Sequence, residues 1–413
     1  MKDLDINNDT LKHLFQKFRS SSSSRYLFQP SISKWNNDLN ESDYENHISE
    51  SSDTFDLYIH IPFCSNFCTF CGCNIKTSTQ EKDHKNLLEA LFYEISIHKK
   101  LLKNKKLLNL YLGGGTPSLL STDMMKSLLN EVYSSYNLSA NFEGHIETTP
   151  YNLNESYITI LKEMNIINIK IGIQDLNQSV LNRINRTKQS ESLNKFLELK
   201  KKYNLKIQIE LVAGLPNQTE NSFIKSLDEI VSWDVETITI YPLAIKDNLS
   251  KLHSDLGFIP LNSDEKVNLM FKSAQSLLKK NFKPLGFDCY RSSNSIGKYK
   301  ARSTFGFSTS KSDLLIGIGP SAISIGKKFI KRNENIYEKY LYLCRQNNLF
   351  NQSFKHKMTE KNILINNKID SAIQRNEIDI ETSSKFDSNL VENGQITNYG
   401  RLFLSSILDK LPR

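Results

Sequence analysis

The stretch CSNFCTFCGC, residues 64–73, holds four of the chain's six cysteines. Its spacing is Cys64-x3-Cys68-x2-Cys71-x-Cys73. Thiolates packed this closely on one loop can wrap a metal centre. Zinc takes four ligands in a closed tetrahedron, and Cys73 could complete the set. An iron–sulfur cluster normally takes four cysteines too. Held by three, it leaves one iron open to an outside ligand. The spacing admits both readings. Cys289 and Cys344 stand alone and read as buried structural thiols.

The elements around this loop follow a rhythm. DLYIHIP (56–62), LLNLYLG (107–113), FEGHIET (142–148), INIKIGI (167–173), KIQIELV (206–212) and ETITIYP (236–242) read as strands. Helical patterns fall near 83–102, 122–135, 153–164, 178–202 and 220–232. Alternation with a period of about 30 residues is the mark of βα units and a parallel sheet. The expected fold is α/β, a partial (β/α)6 barrel. Chemistry-bearing residues gather at the strand ends: the cysteines after the first, GGGTP (113–117) after the second, Glu147 at the third, Gln174 after the fourth and Glu210 in the fifth. The carboxyl ends of parallel strands are where barrels build active sites.

Outside this core, residues 1–54 lack a regular pattern and include the run Ser20–Ser24. The expected organisation is an N-terminal extension (1–54), the barrel core (55–249), a substrate-side extension (250–354) and a small helical C-terminal region (355–413). The run LLIGIGPSAIS (314–324) reads as a strand and turn packed on the barrel.

The chain has 413 residues and a net charge of +8, from 53 basic and 45 acidic side chains. Its positive charges are scattered, with no basic stripe interleaved with aromatics, which argues against nucleic acid. The excess suits acidic small substrates or an acidic electron donor. No apolar run approaches the ~18 residues of a membrane helix. MKDLDINNDTLKHLF, at the start, has early acids and no long apolar core, so neither a signal nor a transit peptide is expected. The expected location is the cytoplasm, where clustered cysteines serve metal or redox chemistry rather than disulfides.

The loop Cx3Cx2C with Phe70 before its last cysteine, followed one strand later by GGGTP, resembles the radical S-adenosylmethionine (SAM) enzymes. More narrowly, YIHIPFC (58–64), CTFCGCN (68–74), GGGTP (113–117), IGIQDLN (171–177), Asn185-Arg186 and AGLPNQT (213–219) resemble the oxygen-independent coproporphyrinogen III oxidases. RYLFQPS (25–31) and TNYGRLFLSSIL (397–408) are similar to that family's first and last segments. The resemblance implies a [4Fe-4S] cluster on Cys64, Cys68 and Cys71, with its open iron chelating SAM. It implies Tyr58 and Phe70 near SAM, and Gly114, Gly115 and Thr116 at its methionine part. Glu147, Gln174 and Arg186 would bind its polar groups, and Glu210 its ribose. The glycines are expected to let the backbone approach the cofactor closely. Cys73 becomes a thiol beside the cluster without being a ligand, and a second SAM is expected nearby.

The implied reaction is anaerobic oxidative decarboxylation of coproporphyrinogen III to protoporphyrinogen IX. A flavodoxin- or ferredoxin-type donor and a monomeric chain go with it. Cationic partners for the substrate's carboxylates are sought in Arg25, Arg291 and Arg302. Several segments depart from the family. Glu210 stands where it has aspartate, and YPLAIKDN (241–248), GFDCYRSS (286–293) and 305–324 diverge from its pattern. These departures keep open a related two-SAM reaction, such as C-methylation, cyclopropanation or haem ring opening, and a non-catalytic haem chaperone.

Overall fold

The computed structural model describes residues 7–18, 29–245, 257–295, 300–301, 307–308 and 311–411. Its centre is a set of parallel strands: β1 (Thr54–Ile61), β2 (Lys106–Gly114), β3 (Asn137–Thr148), β4 (Ile166–Gln174), β5 (Lys206–Ala213) and β6 (Thr237–Pro242). They pair in chain order, each parallel to the next. Helices α3 (Glu81–Leu101), α4 (Thr122–Ser135), α5 (Glu155–Glu163), α6 (Gln178–Arg183), α7 (Gln189–Tyr203) and α8 (Glu220–Val231) fill the crossovers. This is the expected partial barrel.

The strands show why such a sheet forms. In β1, Phe55, Leu57, Ile59 and Ile61 are buried in the main core, while Asp56, Tyr58 and His60 alternate with them. The same period of two puts polar side chains on one face of the neighbouring strands. Tyr111, His145, Glu147, Asn168, Lys170 and Gln208 all border one small cavity with Tyr58. The apolar parity packs on helices, and the polar parity faces the barrel interior. Helix α3 opens with Glu81 and Asp83 and closes with Lys99 and Lys100, matching the helix dipole at both ends.

The sheet extends beyond these strands on both sides. With β7 (Phe282–Gly286), β8 (Cys289–Ser292), β9 (Leu315–Ile318), β10 (Ile323–Ile325), β11 (Phe329–Arg332) and β12 (Phe354–Lys357), the order is β12-β11-β10-β9-β1-β2-β3-β4-β5-β6-β8-β7. The apolar run near 314–324 is thus a strand of the sheet itself, β9, lying parallel to β1.

Two features were invisible in the sequence pattern. Residues 8–18 and 41–49 form helices α1 and α2, although this region read as irregular. Helix α1 buries Leu11, Leu14 and Phe15, and Phe15 meets Phe271 and Phe403 edge-on at 5.7 and 5.0 Å. Strand β3 begins at Asn137, five residues before its apolar stretch, because its first residues are mostly exposed and polar. The main apolar core runs from Leu11 to Leu411, while Val180, Leu181 and Ile184 at α6 pack in a separate cluster with Val212, Leu215 and Leu243. No described helix is long and apolar enough to cross a membrane.

Candidate active site

A cavity of about 270 Å3 opens at the carboxyl ends of the parallel strands. Its wall takes Cys64, Cys68, Phe70, Cys71 and Cys73 from the loop after β1, and Gly114, Gly115 and Thr116 from the end of β2. Glu147, Thr149 and Tyr151 follow from β3 and its loop, and Lys170, Gly172 and Gln174 from β4. Arg186 lies beyond α6, Glu210 on β5, and Tyr241–Ala244 at the end of β6.

The cysteine loop is held from two sides. On one, the end of α6 grips it. Asn185, in the left-handed region at φ 61°, donates from its side chain to the Phe67 carbonyl at 2.9 Å. Thr69 donates to the Arg183 carbonyl at 3.2 Å. Arg186 points Nε at Cys68 Sγ, 3.4 Å away, and its guanidinium lies 5.8 Å from the Phe70 ring centre. On the other side, Asn74 donates to Ser321 Oγ and to the Asn335 carbonyl, both at 2.7 Å. The Asn74 carbonyl also accepts from His60 Nε2 at 2.9 Å. The run after β9 therefore buttresses the cysteine loop from behind.

Charge is arranged around the sulfurs. Burial pushes the Cys64 thiol up to about 11; Thr116, with Oγ1 3.6 Å from its sulfur, works against that rise. Burial also works against the Arg186 charge, but the sulfurs of Cys68 and Cys71 and the Tyr151 phenol outweigh it and raise its pKa. Among the described residues, no three of His, Cys, Asp or Glu stand close enough together to hold one metal ion. None of the six cysteines is paired in a disulfide.

Gln174 occupies the left-handed region at φ 67°, unusual for a residue with a side chain. A Cβ on Gly172 would stand 2.6 Å from the Gln174 amide nitrogen, so Gly172 makes room for it. Gln174 Oε1 and Thr149 Oγ1 are both buried in the cavity wall without a hydrogen-bond partner among the described residues. Buried polar atoms are rarely left so, and both can accept a hydrogen bond from a ligand.

Gly114 and Gly115 line the cavity, and the glycine run also has a packing role. A Cβ on Gly115 would meet the Phe63 and Pro62 carbonyl oxygens at 2.5 and 2.7 Å. One on Gly113 would meet Glu147 Oε2 and Tyr58 Cε2, both at 2.9 Å. Gly114, at φ 115°, faces the His60 ring at 2.8 Å. The missing side chains make room for the protein's own backbone and barrel interior, so that β2 can pack under the cysteine loop.

Other expectations land elsewhere. Tyr58 is buried one layer below, bonded to His60 Nδ1 at 3.0 Å, and is absent from the cavity wall. Arg291 pairs with Thr237 at the amino end of β6, away from the cavity, because β8 runs antiparallel to β6. Arg25 and Arg302 lie outside the described residues. Of the diverging segments, 241–244 borders the cavity, whereas 286–293 lies in the β7–β8 hairpin and 246–250 is outside the described residues.

Sequence reasoning missed Lys170, Thr149, Tyr151 and Tyr241, and gave Asn185 no role of its own. Lys170 had a legible signal: in INIKIGIQ it shares the parity of Asn168, Gly172 and Gln174, and lies opposite Glu147 in the sheet.

Residues 58–230 match the radical SAM superfamily. Within that match the chain carries the cysteine loop and strands β2 to β5 of the barrel, with the thiol-lined cavity at their ends. It is similar to the oxygen-independent coproporphyrinogen III oxidases. The Helicobacter pylori J99 protein of that name is 26% identical over 352 residues, covering 80% of this chain and 76% of the relative. The Escherichia coli K12 protein is 25% identical over 345 residues, covering 81% and 75%. The solved coproporphyrinogen III oxidase of Escherichia coli, described as a radical SAM enzyme, superposes with a TM-score of 0.84 over 99% of both chains at 20% identity, a likeness of fold.

Radical SAM proteins carry a [4Fe-4S] cluster and SAM, and the residues present fit both. Three thiols share one wall with a guanidinium beside one of them. SAM carries an ammonium, a carboxylate and ribose hydroxyls. The two carboxylates, Arg186 and the unpartnered oxygens of Gln174 and Thr149 offer complementary groups.

Proposed function

We propose that this chain is a radical SAM oxidoreductase that converts coproporphyrinogen III to protoporphyrinogen IX without oxygen. The observation that carries the reading is the meeting, in one cavity, of Cys64, Cys68 and Cys71 with Glu147, Gln174, Arg186 and Glu210. When bound, the reduced cluster supplies the electron that splits SAM into methionine and a 5′-deoxyadenosyl radical able to take hydrogen from an unactivated carbon. The chain's own residues do the rest. Cys64, Cys68 and Cys71 hold the cluster, and Arg186, whose Nε and Nη1 are engaged by Cys68, Gly172 and Gln189, offers its positive charge and Nη2 to the SAM carboxylate. Glu147 and Glu210 accept from its ammonium and hydroxyls, and Gln174 Oε1 takes a further donor. Phe70 and Leu243 keep water from the reacting carbon.

For each vinyl group formed, the substrate propionate loses a β-hydrogen atom to the deoxyadenosyl carbon, its carboxyl as CO2, and one electron to an acceptor. The similarity to the named oxidases supports a tetrapyrrole as substrate. Cys73, exposed at the mouth of the same cavity, is proposed to act beside the cluster without binding it. A flavodoxin- or ferredoxin-type donor, a monomeric state and a cytoplasmic location complete the proposal. The net charge of +8 suits an acidic donor.

Anaerobic incubation of the reconstituted protein with SAM, a strong reductant and coproporphyrinogen III tests it, read by mass spectrometry. Stepwise loss of two carboxyl groups, matched by 5′-deoxyadenosine, is the expected outcome. Deoxyadenosine with the porphyrinogen untouched would move the substrate elsewhere and favour a related two-SAM reaction. An intact cluster that yields no deoxyadenosine but takes up haem would put the chaperone reading first.

A further inference from the structure

Beneath the proposed cofactor site runs a chain of polar contacts that takes one residue from each of β2 to β6. The Gly114 amide donates to Glu147 Oε2 at 3.3 Å. Glu147 Oε1 lies 3.7 Å from Lys170 Nζ, and Lys170 Nζ lies 3.6 Å from Glu210 Oε1. Tyr241 donates its hydroxyl to the same Glu210 oxygen at 2.6 Å. All five residues border the cavity. The lysine at the centre is 13% exposed, against 43% for Glu147 and 20% for Glu210. Its two partners come from the strands on either side of its own, so one ammonium spans two carboxylates across three strands.

We propose that Lys170 is a positioning residue of the cofactor site, whose ammonium holds the Glu147 and Glu210 carboxylates at a fixed spacing to accept the ammonium and hydroxyl donors of SAM. The inference rests on the radical SAM reading, and it assigns to the barrel floor a task the cysteine motif does not contain. Each carboxylate has a second anchor, the Gly114 amide for one and Tyr241 for the other. Lys170 touches both. Without it, two like charges carried by the strands on either side of β4 repel and turn away from each other. Each then presents its oxygens in several orientations rather than one, and binding carries the cost of ordering them. An arginine at 170 keeps the charge and can reach both partners. A methionine keeps the length and loses the charge.

The test is anaerobic calorimetric titration of SAM into the reconstituted full-length protein, for wild type, Lys170→Met and Lys170→Arg. Iron content per chain and melting temperature are measured alongside. The expected result is SAM binding weakened about tenfold or more in Lys170→Met, the usual scale for losing a charge-assisted contact. Lys170→Arg stays within a few-fold of wild type, and all three proteins carry the same iron. If Lys170→Met does not fold, Lys170→Gln replaces it with the same expectation. A neutral variant that binds SAM as wild type does overturns the inference and leaves Lys170 a structural ion pair. Equal loss in the arginine and methionine variants also overturns it, since charge would then not be what matters. Wild-type protein that carries its cluster and fails to bind SAM overturns the radical SAM reading together with the inference.

Discussion

Each cysteine of the 64–73 loop has its own surroundings. Cys64 sits beside Thr116; Cys68 faces Arg186; the Cys73 amide points at Cys71 Sγ, 3.5 Å away. Cys73 is exposed where the other three are half-buried. Serine at 64, 68 or 71 should abolish the iron–sulfur absorption of anaerobically reconstituted protein, while serine at 73 should leave iron and sulfide unchanged. Loss of the cluster in the Cys73 variant would make it a ligand. Gly115→Ala tests the glycine run at the same scale. Its Cβ would press on the Phe63 and Pro62 carbonyls, which are backbone and cannot swing aside. Cluster content after reconstitution should fall severalfold, because those residues lead directly into Cys64. Unchanged iron content would show that the loop can yield.

Between elements, the motifs IGIQDLN and AGLPNQT serve packing as much as chemistry. Asp175 is fully buried and accepts from Gln218 Nε2 at 2.7 Å and Ser226 Oγ at 3.1 Å. Gln218 Oε1 in turn accepts from the Gly214 and Leu215 amides at 2.7 and 2.9 Å, and its amide also donates to the Val212 carbonyl. These bonds tie the loop after β4 to the loop after β5 and so hold the end of β4, where Gln174 lies opposite Leu211. Burial pushes the Asp175 carboxyl up, and the donors from Asn177, Gln218 and Ser226 oppose that rise. Gln218→Leu would strand buried donors and a buried carboxylate. It should cost about 3 kcal/mol of stability in denaturant unfolding, with SAM affinity falling as the loops separate. A loss below about 0.5 kcal/mol would mean that water replaces the amide.

Across the whole molecule, α3 links the far edge of the sheet to the cysteine loop. Glu94, fully buried, accepts from the Gly319 amide and Tyr340 hydroxyl at 2.8 Å and from Asn333 at 2.6 Å. That holds the turn whose Ser321 anchors Asn74. On the same helix, His98 lies buried between the Tyr44 hydroxyl at 3.0 Å and the Glu94 carbonyl at 2.9 Å. Burial lowers its pKa from 6.5 to about 4. The folded value lies below the unfolded one, so the unfolded chain takes up the proton first. Stability is present above pH 6.5 and is lost as pH falls toward 4. The loss from this group is up to about 1.4 kcal/mol per pH unit. Unfolding free energies at pH 7 and pH 5 should therefore differ less in His98→Gln than in wild type. An identical pH dependence in the two proteins would remove His98 from the acid response.

Much of this was legible in the residues themselves. The parallel strands could be placed because their apolar parity must pack on helices. Cys64, Cys68, Cys71, Phe70, Gly114, Gly115, Thr116, Glu147, Gln174, Arg186 and Glu210 all border the cavity, since each lies at or just beyond the end of a barrel element. Tyr58 does not, because it sits one strand layer too deep for any loop motif to reveal. Helix α1 was not legible, since its short apolar face gains meaning only against Phe271 and Phe403, hundreds of residues away. The ion chain through Lys170 was not legible either, because its partners come from three strands and meet only by register. Local pattern is set by the period of a strand or helix and can be read along the chain. Which polar side chains share the barrel floor is set by strand order and stagger, and these exist only once the sheet has formed.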